Sequence, residues 1–237
     1  MTVDPMTGPI IVTGTDTGVG KTVVAAAIAA AATAAGLKVA VVKPAQTGAG
    51  TGKADAEVVL RLANPALVRT FTAYQDPLAP LAAARVTGQQ PLRAMDAHLW
   101  ARRLGRDHDL LIVEGIGGLL SPLGEGGWNI ADMAAGLRAP VVVTTRAGYG
   151  TLNHTALTLE ALLRRKLEAF VVIGDWPATP DLVHRTNLHD LPGELAGAVP
   201  EGAADLTPAS FAAGAVEWLA PILHGRFDET AFRSRAE

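Results

Sequence analysis

Short apolar runs rich in Val and Ile alternate along the chain with longer Ala- and Leu-rich segments of helical spacing. Ile10 to Thr13, Lys38 to Lys43, Asp109 to Val113, Pro140 to Thr144 and Phe170 to Ile173 read as strands. Their middles are apolar throughout, the pattern of a parallel sheet covered on both faces. Val68 to Thr72 reads as a further short strand, and Ala196 to Val199 as another before Pro200. Helices are predicted over Val23 to Ala35, Ala54 to Ala63, within Pro77 to Gly88, and over Pro91 to Leu104, where Pro91 suits the first helical position. Asn129 to Gly136, Thr151 to Arg165 and Phe211 to Leu223 complete the set, and the apolar face of Thr151 to Arg165 is expected at Leu152, Ala156, Leu159 and Leu163. Ala49 to Lys53 reads as a mobile Gly/Thr loop, and the polar tail from His224 as a fraying end. Regular strand–helix alternation predicts an α/β fold, a doubly wound and mostly parallel sheet with helices on both faces. One domain is expected over residues 1–237, with 1–8 and 224–237 as flexible ends.

One stretch carries chemistry by its order alone. Ile10 to Thr13 leads into a loop holding Gly14, Gly18 and Gly20, then Lys21-Thr22, then a helix. Strand, Gly-rich loop, Lys-Thr and helix form the context of a phosphate-binding P-loop and place the fold with the P-loop NTPases. Glycines let successive backbone N–H groups turn toward a phosphate, and the helix N-terminus adds partial positive charge. Lys21 would reach the β- and γ-phosphates, and Thr22 would set its hydroxyl on Mg²⁺. One residue departs from the strict pattern: Thr15 stands six places before Lys21, where a glycine is expected, with Gly14 one place earlier.

Composition narrows the rest. The 237-residue chain is 49% hydrophobic and 18% charged, enough to build a large core. Its net charge of −3 and lack of a long basic run point away from a nucleic-acid face. The absence of cysteine excludes a disulfide framework and a thiolate nucleophile or metal site. Residues 1–8 do not have the charged and apolar regions of a signal peptide, and Val23 to Ala35 is too short to span a membrane.

In such sheets ligands sit beyond the C-terminal strand ends. Glu114 closes an apolar strand and precedes glycines, a position from which a carboxylate can serve Mg²⁺; a strand-end acid held by hydrogen bonds would look the same. Asp55 is a second possible magnesium ligand, or an acid favouring a helix start. Lys43 leaves a buried strand before Pro44, so its ammonium can enter the cleft and neutralise developing oxyanion charge, or simply snorkel. Gly148 to His154 is a second loop opening a helix, an anion site by the physics of the P-loop, or an ordinary capped helix. The remaining histidines show no metal-ligand spacing.

Taken in order, Gly14 to Thr22, Lys43-Pro-Ala-Gln-Thr-Gly48, Glu114-Gly-Ile-Gly-Gly118 and Gly150-Thr-Leu-Asn-His-Thr155 resemble the dethiobiotin synthetases over about Ile10 to Pro200. The resemblance implies a cytoplasmic, Mg²⁺- and ATP-dependent homodimer that makes the ureido ring of dethiobiotin from 7,8-diaminononanoate and CO₂. It assigns Gly18, Val19, Gly20, Lys21, Thr22 and Val23 to the triphosphate, and Thr22, Asp55 and Glu114 to Mg²⁺. Lys43 and Lys21 would flank the carbamate and γ-phosphate, with Lys43 at the position that the family treats as catalytic. Thr17 and Thr47 would contact the diamine or its carbamate. Gly150, Thr151, Leu152 and Asn153 would take the substrate's distal carboxylate from the neighbouring subunit. Gly115, Ile116 and Gly117 would also line the nucleotide, and Gly174, Asp175, Pro200, Glu201 and Gly202 fall where the family contacts the base. Many members carry Asn at the place of Gly174, whose amide can read adenine; glycine cannot. Neither a nucleic acid nor a membrane is implied as a partner.

Two readings from other classes compete. A partitioning or Min-type switch ATPase would carry a lysine early in the P-loop, where this chain has Asp16. A regulatory module that only binds nucleotide would have no use for a substrate-side lysine and threonine at 43 and 47.

Overall fold

The structure, a computed structural model, describes residues 4–48 and 54–236; the loop expected over 49–53 and residues 1–3 lie outside it. Seven strands run β1 (Gly8–Gly14), β2 (Val39–Gln46), β3 (Leu67–Ala73), β4 (Leu110–Glu114), β5 (Val141–Thr145), β6 (Ala169–Trp176) and β7 (Leu195–Pro200). The helices are α1 (Lys21–Ala34), α2 (Asp55–Ala63), α3 (Pro80–Thr87), α4 (Ala94–Arg106), α5 (Ile130–Leu137), α6 (Thr151–Leu163), α7 (Leu182–Asp190), α8 (Pro208–Trp218) and α9 (Glu229–Ala236). The sheet order is β3-β2-β4-β1-β5-β6-β7, and every strand pairing is parallel.

Alternate strand residues face opposite layers. Ile10, Val12, Val41, Ile112 and Val142 pack under α1, which lies between α2 and α8. Ile11, Val42, Leu111, Val113 and Val143 pack under α4 and α5. Eight of the ten buried residues of α1 lie from Ala25 to Ala32, nearly all alanine, so this helix sits close to sheet and neighbours on every side. The register sets the site. Val12 pairs with Glu114 and Gly14 with Thr144, so the P-loop emerges between the ends of β4 and β5. Val42 pairs with Val113, which brings Lys43 beside Glu114.

Several elements differ from the sequence pattern, each for a physical reason. β2 continues through Pro44 to Gln46. Its ladder with β4 ends at Val42, while that with β3 runs on through Ala45 and Gln46, so the missing N–H of Pro44 breaks nothing on the β4 side. The helix expected from Pro91 begins at Ala94. Leu92 instead bridges to Gly124, and its carbonyl accepts from Trp128 Nε1 at 3.0 Å and Glu125 N at 2.9 Å. α6 buries Thr151, Thr155, Thr158 and Leu162 in place of the expected stripe, and Leu163 is 75% exposed. The cause is Thr145 at the end of β5, whose hydroxyl meets those of Thr151 and Thr155 at 2.8 Å each.

α7 and α9 have no counterpart in the sequence reading. α7 is polar, with Leu188 its one buried residue, and Asp181 caps it by accepting from His184 N at 3.0 Å. The described part of the tail turns back onto the fold and closes in α9. Met6 N donates to Ile222 O at 3.0 Å, and His224 Nε2 meets Met6 O at 2.8 Å. Phe227 is buried, and Phe232 of α9 packs on Trp176 at a ring separation of 5.2 Å.

Candidate functional site

The P-loop turns on close backbone approaches. Gly20 has φ 92°, and a Cβ there would sit 2.6 Å from the carbonyl oxygen of Gly174. A Cβ on Gly174 would in turn lie 2.0 Å from the Val19 carbonyl. Both positions therefore demand glycine: the end of β6 is pressed against the P-loop backbone. This gives Gly174 a packing role, and it leaves no room for the side chain that the resemblance places there.

Five polar side chains, from β2, the end of β4 and the starts of α1 and α2, converge beside this loop. Thr22 donates to Glu114 Oε1 at 2.7 Å. Lys43 Nζ donates to the same oxygen at 3.0 Å and also to the Asp55 carboxylate. Lys21 Nζ folds back onto the carbonyl of Asp16 at 2.7 Å. Lys43 is 5% exposed and Glu114 2%. A charge so buried needs partners, and each has them. Burial pulls the Lys43 ammonium down, but the attraction and hydrogen bonds of Glu114 and Asp55 together overcome it and hold it above the ordinary lysine range. Lys21 goes the other way: burial, with the repulsion of Lys43 added, outweighs Glu114 and lowers it to about 8.

These groups line an open cavity of about 440 Å³ with Thr17, Thr47 and Val23. A second cavity of about 420 Å³ adjoins it, sharing Thr17, Gln46, Thr47, Ile116 and Gly117 and extending to Pro80 and Ser121. Gly115 N donates to Val12 O at 2.8 Å, which ties the turn after β4 to β1, the strand that leads into the P-loop. The two together form one cleft with a charged end and an uncharged end, large enough for a polyphosphate beside a small acceptor. Thr22, Asp55 and Glu114 offer hydroxyl and carboxylate oxygens only, the donor set Mg²⁺ takes, and the Lys43 ammonium now supplies the cation between the carboxylates.

Asp175, Pro200, Glu201 and Gly202 lie at the ends of β6 and β7, joined by Glu201 N donating to Trp176 O at 2.8 Å. Partial burial and the nearby Glu201 raise the Asp175 carboxyl above the usual carboxylate range.

Gly150, Thr151, Leu152 and Asn153 are not brought to this cleft. They open α6, and Gly150, Leu152 and Asn153 line a separate cavity of about 470 Å³ with Tyr149, Leu182 and Asn187. Sequence reasoning missed Gln46, which lines both halves of the cleft, although it stands inside the Lys43 to Gly48 motif. It also missed Arg146, whose guanidinium donates to Asp16 Oδ2 at 3.4 Å across the P-loop, and Asn187, which no motif marks.

A relative from Streptomyces coelicolor described as ATP-dependent dethiobiotin synthetase BioD is 50% identical over 232 residues, covering 95% of this chain and 98% of its own. The chain belongs to the dethiobiotin synthetase family. A relative of the same description from Frankia casuarinae is 50% identical over 237 residues, with 96% and 98% covered. A family profile described as an AAA domain matches residues 9–209. Membership makes the protein a ligase of the C–N bond-forming class. Among solved structures, the cell-division protein MinD of Aquifex aeolicus superposes with a TM-score of 0.52 at 15% identity, covering 97% of each chain. The signal recognition particle receptor FtsY of Elizabethkingia anophelis reaches 0.52 at 15% identity, covering 97% of this chain and 65% of that one. These two likenesses show a shared P-loop NTPase-like fold.

Proposed function

We propose that the protein closes the ureido ring of dethiobiotin from 7,8-diaminononanoate and CO₂ with consumption of ATP. The observation that carries this reading is the Lys43–Glu114–Asp55 cluster, set in one cleft with Lys21 and the Thr17–Thr47 pair. A site that only switched on nucleotide would have no reason to bury a second lysine beyond the P-loop.

A neutral amine of the substrate attacks the carbon of CO₂, forming a C–N bond and releasing a proton to solvent. The resulting carbamate oxygen attacks the γ-phosphorus, and ADP leaves. The second amine then attacks the carbonyl carbon of the carbamic–phosphoric anhydride, its nitrogen gives up a proton, phosphate departs with the C–O bonding pair, and the ring is closed. No protein nucleophile is required, so catalysis is positioning and charge stabilisation. Lys43 and Lys21 meet the charge on the carbamate and the transferred phosphoryl. Gly18 to Val23 cradle the triphosphate, Gly115 to Gly117 line it, and Thr17 and Thr47 hold the diamine. Thr22, Asp55 and Glu114 would hold Mg²⁺, which when bound adds positive charge at the phosphate oxygens.

The base falls to Gly174, Asp175 and Pro200 to Gly202. The Val19 carbonyl bars a side chain at 174. Discrimination then rests on backbone groups, and we expect nucleoside triphosphates to be used with less than about a hundredfold preference for ATP, about 2.7 kcal/mol.

The loop at Gly150 to Asn153 would take the distal carboxylate from a second copy, in a cytoplasmic homodimer. Its support is that this loop stays outside its own chain's cleft and is ringed by Tyr149, 82% exposed, and Leu182, 71% exposed, with Leu157 and Leu163 further along α6.

The test is phosphate release from ATP by purified protein with Mg²⁺ and bicarbonate, with and without diaminononanoate. Release that requires the diamine is expected. Release indifferent to it, coupled to nucleotide-driven dimerisation, would overturn the reading in favour of a switch ATPase.

A further inference from the structure

The loop between β5 and α6 is held from two sides. From within, the buried hydroxyl of Thr145 meets Thr151 and Thr155. From the flank, the carboxamide of Asn187 on α7 donates to Ala147 O at 3.0 Å and Gly148 O at 2.9 Å. Two acceptors match the two protons of one amide nitrogen.

This clasp fixes peptide planes. In a trans peptide the carbonyl points opposite to the N–H that follows it. With the carbonyls of Ala147 and Gly148 turned toward Asn187, the N–H groups of Gly148 and Tyr149 are turned away. Together with the N–H groups of Gly150, Leu152 and Asn153 they donate to no group of the protein among the described residues. Gly150, at φ 81°, carries the turn into α6. The cavity this loop lines has no lysine, arginine or histidine in its wall. An anion there meets no cationic side chain in the wall and falls to the backbone donors with the neutral polar groups of Asn153 and Thr186, and the aim of the loop's N–H groups depends on what holds the carbonyls behind them.

We propose that Asn187 is a positioning residue for the carboxylate of the diamine substrate: by holding the carbonyls of residues 147 and 148 it aims the loop's free N–H groups at that carboxylate. The inference rests on the reading of Gly150 to Asn153 as the carboxylate site. Asn187 touches no substrate itself.

The test compares 7,8-diaminononanoate with 2,3-diaminooctane, the same diamine without its carboxylate, in the wild-type protein and in Asn187→Leu, which keeps the branched side-chain shape and loses both donors. The wild type should favour the acid through a lower KM. In Asn187→Leu the KM for the acid should rise about tenfold, the scale of misdirecting one charge-assisted hydrogen bond. The KM for ATP, the KM for 2,3-diaminooctane and kcat should stay at wild-type values. If Asn187→Leu does not fold, Asn187→Ser, too short to reach the carbonyls, should show the same split. An unchanged KM for the acid, an equal rise for both diamines, or a loss confined to kcat overturns the role of Asn187. A wild-type protein that does not distinguish the two diamines overturns instead the assignment of the loop, and the positioning role with it.

Discussion

The helices α1 and α6 begin alike and are equipped differently. Each is preceded by a left-handed glycine, Gly20 at φ 92° and Gly150 at φ 81°, and neither is capped by a side chain. Each therefore presents bare N–H groups at the end of a parallel strand. Around α1 stand Lys21, Lys43, Glu114 and Asp55, three of them at most 8% exposed. Around the start of α6 stand hydroxyls, a carboxamide and aliphatic side chains. Under the assignment proposed above the contrast has a reason: neutral donors would seat a single charge that does not change during the reaction, whereas a triphosphate carries several charges that would move as the γ-phosphoryl is transferred, and ionised side chains would stand where that charge develops.

The largest test of this contrast is Lys43→Met. It should lower kcat by about a hundredfold or more, the scale of losing a preorganised stabiliser, in steady-state assays. It also strands Asp55 and Glu114, so the metal-free protein should lose about 3 kcal/mol of stability or more in denaturant melts, with Mg²⁺ restoring part of it. Wild-type turnover in that variant would erase the difference between the two helix starts.

Next in size, Glu114→Gln should raise the Mg²⁺ concentration needed for half-maximal activity about tenfold, with metal-free nucleotide binding largely kept. If the Mg²⁺ titration is unmoved, Glu114 serves only to hold Thr22 and Lys43.

Gly20→Ala and Gly150→Ala separate strain from crowding. At 150 an added Cβ meets His154 Cε1 at 3.4 Å, ordinary contact, so only the left-handed backbone costs, about 1 kcal/mol. At 20 the same cost is joined by a 2.6 Å clash with Gly174 O. Thermal unfolding should therefore rank Gly20→Ala clearly below Gly150→Ala; equal melting would mean the β6–P-loop contact yields easily.

The smallest effect is in pH. Lys21, lowered to about 8 by burial, loses its proton in the folded protein well before it would in the unfolded chain. Between those two values the unfolded state binds more protons, so this group makes the ligand-free protein more stable as pH rises. Nucleotide favours the charged form, so its affinity should fall several-fold as pH rises through about 8, with proton uptake on binding visible by calorimetry. The ratio of KM values for the two diamines should stay flat over the same range, since no acid, lysine, arginine or histidine lines the α6 cavity.

What could be read without coordinates follows from where information is local. The P-loop, the strand ends and the Lys43 and Glu114 positions are written in contiguous motifs, and the sheet follows from apolar runs that need no partner to be recognised. The all-parallel register then brings Lys43 beside Glu114, as the strand-end argument requires. α7 was invisible because it buries one residue and its work is done by polar atoms. The α6 stripe was misplaced by one position because threonine counts as polar in sequence, yet three hydroxyls that satisfy one another are buried as readily as leucine. The tail looked like a frayed end because its anchors, Phe227 and Phe232, are isolated aromatics in a polar run.

The clasp between Met6 and residues 222 and 224 has a consequence for connectivity. Backbone from near the two ends of the described chain meets through Met6 N to Ile222 O at 3.0 Å and His224 Nε2 to Met6 O at 2.8 Å. The junction is at the end of the sheet where β1 begins, opposite the edge that carries the P-loop. The chain then runs on from this junction to the opposite edge, where Phe232 of α9 packs on Trp176 at the end of β6, so the last described segment straps the edge where β1 begins to the edge that carries the P-loop.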